Sequence, residues 1–194
     1  MISVCASIQP PGLSSQAWGS DATLDSIADL NDVIEDRLQD LLACGAVETL
    51  EHAKFYAKLF RDNAEKIDGI IVILPNFGDE KGIADTMRLS GLQVPILLQA
   101  YPDDVQSFTL ERRRDAFCGK ISVTNNLVQY GMKFSLPVKH VCLPGDESFI
   151  QDLKKFTAVC RVVKGLRHAR FGQIGARPAA FITVRYSEKL LEAT

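Results

Sequence analysis

Long apolar runs, paired cysteines and an excess of either charge are all missing from this chain of 194 residues. The longest uninterrupted apolar stretch, residues 70–74, is far too short to cross a bilayer. The first nine residues lack the basic start and apolar centre of an export signal. The chain is therefore expected in the cytoplasm, with no membrane partner. Its five cysteines (Cys5, Cys44, Cys118, Cys142 and Cys160) are odd in number, widely spaced and form no C-x-x-C pair, which excludes a disulfide framework or a zinc knuckle. A formal charge of -2 and a pI near 5.9 leave no overall field to hold a polyanion, so no nucleic acid is expected. The one basic run, Arg112 to Arg114, is flanked by Glu111 and Asp115 and reads as a solvated surface.

Chemical motifs are equally scarce. There is no G-x-x-x-x-G-K-[ST], no G-x-G-x-x-G and no G-x-S-x-G, so the usual nucleotide and hydrolase signatures of parallel sheets are absent. His52, His140 and His168 stand far apart, and no metal-ligand spacing occurs. Cys118, between Arg114 and Lys120, could gain acidity from those cations, but a small hydrophobe beside Gly119 is the simpler reading.

What is present is the pattern of an α/β protein, 46% hydrophobic and 24% charged. Ile2, Val4, Ala6 and Ile8 alternate as in a strand that Pro10, Pro11 and Gly12 end. From Ser26, the positions Ile27, Leu30, Ile34, Leu38 and Leu41 recur at helical spacing up to Gly45, and Leu50, Ala53, Ala57, Phe60 and Ala64 repeat the pattern. Residues 69–74 form an apolar, largely β-branched run bounded by turn residues, the pattern of a strand buried on both faces. Asp79 is placed to cap a helix through Ser90, ended by Gly91, and residues 94–100 make a second buried strand.

Such a β-α-β unit is a right-handed crossover between parallel strands, which puts the loops 75–79 and 100–104 on one sheet edge, where open α/β sheets bind ligands. Residues 138–143 are expected as a short strand, and Phe149, Leu153, Phe156, Cys160 and Val163 as the buried stripe of a helix reaching about Arg167. Residues 169–174 then read as a strand and Pro178 as the start of a helix with Phe181, Val184 and Leu191 inward. The expected organisation is a parallel flavodoxin-like domain over residues 1–166, atypical over 1–44, and the first β-α unit of a truncated second α/β domain over 167–194.

Four segments occur in order: Leu74-Pro-Asn-Phe-Gly-Asp-Glu80, Leu98-Gln-Ala-Tyr-Pro-Asp103, Arg113-Arg-Asp-Ala-Phe-Cys-Gly-Lys120 and Ile174-Gly-Ala-Arg-Pro178. Together with 159–167 and 184–189 they strongly resemble L-fucose isomerase-like proteins, from Gly45 to Leu191. Residues 1–44 depart from that pattern, offering one strand where similar proteins carry two and a glycine-containing crevice loop. The resemblance implies a cytoplasmic, homo-oligomeric aldose-ketose isomerase of the L-fucose/L-arabinose type, working through an enediol, whose first domain packs over a neighbouring subunit's active site. It also implies a divalent metal, typically manganese, held by later domains and not by this segment, which is expected to be inactive alone. Carbohydrate sites combine planar amides, carboxylates and an aromatic face. On that ground the expected sugar contacts are Asn76, Gln99, Tyr101, Asp103, Asp115, Phe117 and Lys120, with Arg177 at the mouth of the next strand. The competing reading is a non-catalytic sugar-binding or oligomerisation module, or an inactive remnant.

Overall fold

The computed structural model describes the backbone of residues 3–8, residues 47–103, 105–107 and 114–167, and beyond them 169–172, 174–175, 179–181, 183, 185, 187 and 189–190. Their order is β1 (Ser3–Ile8), α1 (Leu50–Asp62), β2 (Ile67–Leu74), α2 (Glu80–Ser90), β3 (Ile96–Ala100), α3 (Ala116–Gln129) and α4 (Glu147–Leu166). The helix pattern over 26–44, together with Arg177 and Pro178, lies outside the described residues.

The β2-α2-β3 unit forms as its sequence predicts. β2 and β3 are parallel, with Ile70 opposite Ile96 and Leu74 opposite Ala100. Asp79 caps α2, its Oδ1 accepting from the Gly82 N–H at 2.8 Å, and Gly91 ends the helix at φ 68°, a conformation a side chain would strain. Thr49 caps α1 in the same way, its hydroxyl accepting from the His52 N–H at 3.1 Å.

Two layers of side chains follow from the alternation along the strands. Ile70, Val72 and Leu74 of β2 and Ile96, Leu98 and Ala100 of β3 join Tyr56 and Phe60 of α1, Ile83 and Met87 of α2, and Val123 and Leu127 of α3 in one buried cluster. Leu97 faces the other way, into a cluster with Cys142 and with Phe149, Leu153, Phe156 and Cys160 of α4, against which Ile71 packs. Helices thus cover both faces of β2. The 20-residue α4 has one apolar stripe only, and among the described residues no helix is long and apolar enough to cross a membrane.

Three expectations require correction. The sheet is mixed and not all parallel: β1 runs antiparallel to β2, Ser3 opposite Ile73 and Ile8 opposite Ile67, giving the order β1-β2-β3. Residues 138–143 form no strand. The chain meets the edge of β3 at Ser135, whose N–H donates to Ile96 O at 2.7 Å, and again at Cys142, whose N–H donates to Ala100 O at 3.0 Å. Between them Pro137 has no N–H to offer a ladder, and the Val138 N–H turns to Asp152 Oδ2 at 3.0 Å. The described part of 169–174 pairs with no strand either, Phe171 and Ile174 are exposed, and Phe181 is exposed instead of inward. A single strand without a neighbour has no ladder to join. α3, conversely, has no counterpart in the expectations above, because Gly119, the β-branched Ile121, Val123 and Thr124, and Asn125 and Asn126 are poor helix formers. Its buried stripe of Ala116, Lys120, Val123 and Leu127, spaced four, three and four, is what makes it a helix of this fold.

α4 lies close on β2 because Gly69 has no side chain. A Cβ there would sit 2.5 Å from Cys160 Sγ and 3.1 Å from the Phe156 ring. Gly69→Ala is therefore expected to lower stability by about 1–3 kcal/mol in urea unfolding, as overpacked cores do. Adding Cys160→Ala should restore part of that loss, and a double variant no more stable than Gly69→Ala would show that α4 is not seated on this glycine.

Candidate functional site

Parallel pairing of β2 and β3 delivers the loops after both strands to one edge. The Tyr101 N–H donates to Leu74 O at 3.0 Å, so the two loops start side by side. The amino end of α3 completes the edge. Its Gly119 is packed so closely that a Cβ would stand 3.2 Å from Phe77 Cα and 3.6 Å from Asn76 O. The Phe77 N–H donates to Arg114 O at 2.6 Å, joining the β2 loop to the residue just before α3.

Asp103 locks the remaining loop to that junction. Its Oδ1 accepts from the backbone N–H groups of Arg114 at 2.6 Å and Asp115 at 3.1 Å. Asp115 is held as the N-cap of α3 at φ 54°, the left-handed region that few non-glycine residues occupy, and its side chain makes no capping bond. The strain is tolerable because aspartate is among the residues that enter this region most readily.

Two polar side chains are buried deeper. Gln99, on the second face of β3, is fully buried and its Nε2 donates to Cys142 O. That acceptor fixes which way the amide points, and Oε1 is left buried without a donor. Lys120, 3% exposed, occupies a core position in the α3 stripe, and its Nζ donates to His140 O at 2.8 Å. Burial pushes its ammonium below the ordinary lysine value, offset in part by the charges of the Cys142 thiol and Asp152. Burial raises the Cys142 thiol, while Lys120 pulls it back. Both Gln99 and Lys120 thus close on one three-residue run, 140–142, at the edge of β3.

Aromatic surface flanks these groups. Tyr101 is half-buried with the Arg114 guanidinium 5.3 Å from its ring centroid; burial raises its phenol and Arg114 lowers it by less. Phe117 is exposed, its ring 5.6 Å from that of His140. Of the residues expected to touch a sugar, Asn76, Tyr101, Asp103, Asp115 and Phe117 lie in the loops and helix start at this edge, Gln99 and Lys120 are buried behind it, and Arg177 lies outside the described residues. His140 and Cys142 were not among the expectations. Their run reads as a strand, and only Pro137 and Pro144 around it signal otherwise.

Among the described residues no three His, Cys, Asp or Glu side chains converge closely enough to hold a metal ion. The divalent metal that the resemblance implies is expected from later domains and not from this segment.

The fold and its edge define a mixed α/β protein whose parallel strands carry polar and aromatic side chains at their carboxyl ends. The chain belongs to the family described as the fucose/sulfoquinovose isomerase N-terminal domain, whose model matches residues 22–167. The match starts ahead of Gly45 and takes in the stretch 22–44 that the sequence reading set apart, and it ends one residue past α4, short of Ile174-Gly-Ala-Arg-Pro178. No curated protein and no solved structure matches the chain significantly.

The direction of the Lys120 shift fixes a dependence on pH. The unfolded chain holds the Lys120 proton up to about 10.5, whereas the folded chain gives it up earlier. Below the folded value the buried charge costs stability, and the cost disappears as pH rises toward 10.5. Urea midpoints of the natural chain minus those of Lys120→Met should therefore increase from pH 7 to about pH 10. A difference that stays flat or falls would place Lys120 in water.

Proposed function

We propose that this chain is the substrate-lining amino-terminal part of a cytoplasmic aldose-ketose isomerase acting on a free sugar in carbohydrate metabolism. The observation that carries the reading is the family match over residues 22–167, a span that contains every group at the crevice edge. The geometry supports it. An edge that combines the Gln99 amide, the Asp115 carboxylate, the Lys120 ammonium and the faces of Tyr101 and Phe117 offers donors, acceptors and ring surface, as a polyol requires.

The division of labour in this proposal is simple. Residues of this chain bind and orient the sugar, Asp103 and Gly119 hold the binding loops in register, and buried Lys120 and Gln99 set the polarity beneath them. Proton transfer through an enediol, with a divalent metal such as manganese polarising the carbonyl, belongs to other segments of the enzyme. The proposal also includes a homo-oligomer with the crevice facing a neighbouring subunit. Phe77, Phe117, Ile121, Val138 and Leu143, all exposed on this side, support it as the apolar rim such a contact would cover.

Two outcomes test the reading. With manganese and a panel of aldoses the 194-residue chain should form no ketose, and turnover that survives controls for contaminating enzyme would overturn the division of labour. Calorimetry of the same chain should detect sugar binding that Asp115→Asn weakens about tenfold without loss of the helical circular dichroism signal, since asparagine tolerates the left-handed corner but removes the charge. Equal affinity in both proteins would move the site away from α3.

A further inference from the structure

Pro137 decides where residues 138–141 go. On the free edge of β3 the Ser135 N–H donates to Ile96 O, and Ser135 O accepts from the Leu98 N–H at 3.1 Å, which starts a parallel ladder. The bonds of such a ladder fall on every second residue, so residue 137 is the next to donate and residue 139 would reach Ala100 O. Proline has no N–H to give. Cys142 reaches Ala100 O in place of residue 139, three positions late, with its N–H at 3.0 Å. The extra residues leave the sheet as a short bulge in which Val138, Lys139 and His140 are exposed. Two helices fix that bulge: the Val138 N–H donates to Asp152 Oδ2 of α4 at 3.0 Å, and Lys120 Nζ of α3 donates to His140 O at 2.8 Å. The imidazole of His140 is thereby carried to the start of α3, its centroid 5.6 Å from that of Phe117 and the two ring planes inclined at 46°.

We infer that His140 is a further sugar-contacting residue of this edge and that Lys120 is the positioning residue that holds it there. The inference rests on the reading of this chain as the substrate-lining part of a sugar isomerase and adds one residue to that same site. Both rings are open to solvent, so a sugar reaches them without entering the core. They set two unlike surfaces side by side. Phe117 offers a face for the C–H groups of a pyranose, and the ring nitrogens of His140 offer hydrogen bonds to the hydroxyl groups that flank them. Asp115, two residues before Phe117 and with no capping bond of its own, adds a carboxylate at the same helix start. Lys120 acts here without touching a ligand. Only 3% exposed and bonded to a peptide carbonyl, it fixes the backbone of His140 where the β-ladder has been broken. A histidine on an untethered loop would lose backbone entropy on binding, and in this fold that ordering is already complete.

Nuclear magnetic resonance of the full 194-residue chain with isotope-labelled histidine tests this, the His140 ring signals being those absent from His140→Ala. Titration with L-fucose, and then with the other aldoses of the panel, should move those signals. His140→Ala should weaken binding about five- to tenfold, as loss of one or two hydrogen bonds does, with the urea midpoint unchanged because the residue is exposed. His140→Gln, which keeps a donor and an acceptor, should fall between the two. Lys120→Met, checked for folding by circular dichroism, should weaken binding by a similar factor with His140 still present and should shift the His140 ring signals as the ring leaves Phe117. An aldose that binds without moving the His140 signals, or equally well in His140→Ala, overturns the inference while leaving the sugar-binding reading in place. Natural affinity and unshifted ring signals in Lys120→Met overturn the positioning role. Binding of no aldose removes the sugar-binding reading and the inference with it.

Discussion

Everything at the crevice depends on β2 being apolar on both faces. Ile70, Val72 and Leu74 on one side and Ile71 and Ile73 on the other cannot be left in water, since each such side chain contributes roughly 1.5–3 kcal/mol when buried. Covering them requires helices above and below. α1, α2 and α3 supply one layer and α4 the other, seated on the bare backbone of Gly69. Once β2 is central, the crossover through α2 must lay β3 parallel beside it, and the loops after both strands then share an edge.

The edge is built largely from backbone. Asp103 uses a carboxylate oxygen on two peptide N–H groups, Arg114 gives its carbonyl to Phe77, and Gly119 lets α3 touch the loop after β2. Each of these contacts has a backbone group on at least one side, and together they fix the start of α3 and, with it, the placement of Asp115. Strain at the Asp115 corner is a modest cost beside that constraint. The same edge explains why Lys120 is buried: a helix held this close has its fifth residue in the core, and a lysine there must find an acceptor in the chain that follows.

Much of this was legible from residue types and spacing. The capped α2, both parallel strands and the stripe of α4 follow from short-range rules, because Asp79, Gly91 and a run of β-branched residues act on their own neighbours. The sharing of one edge by Asn76, Gln99, Tyr101 and Asp103 also follows, since crossover handedness leaves no other arrangement. The direction of β1, the fate of residues 138–143 and the existence of α3 do not follow, because each depends on which surface was already occupied.

By itself the sequence determined the β2-α2-β3 unit, the family through its ordered segments, and the residue types at the crevice. Only the tertiary structure decided that Asp103 serves backbone amides, that Lys120 and Gln99 close on residues 140–142, and that one oxygen of Gln99 has no donor. The physical reason is one of range. Caps, turns and strand propensity are settled within a few residues, whereas these hydrogen bonds join groups 20 and 43 residues apart, and their geometry exists only after the helices have packed.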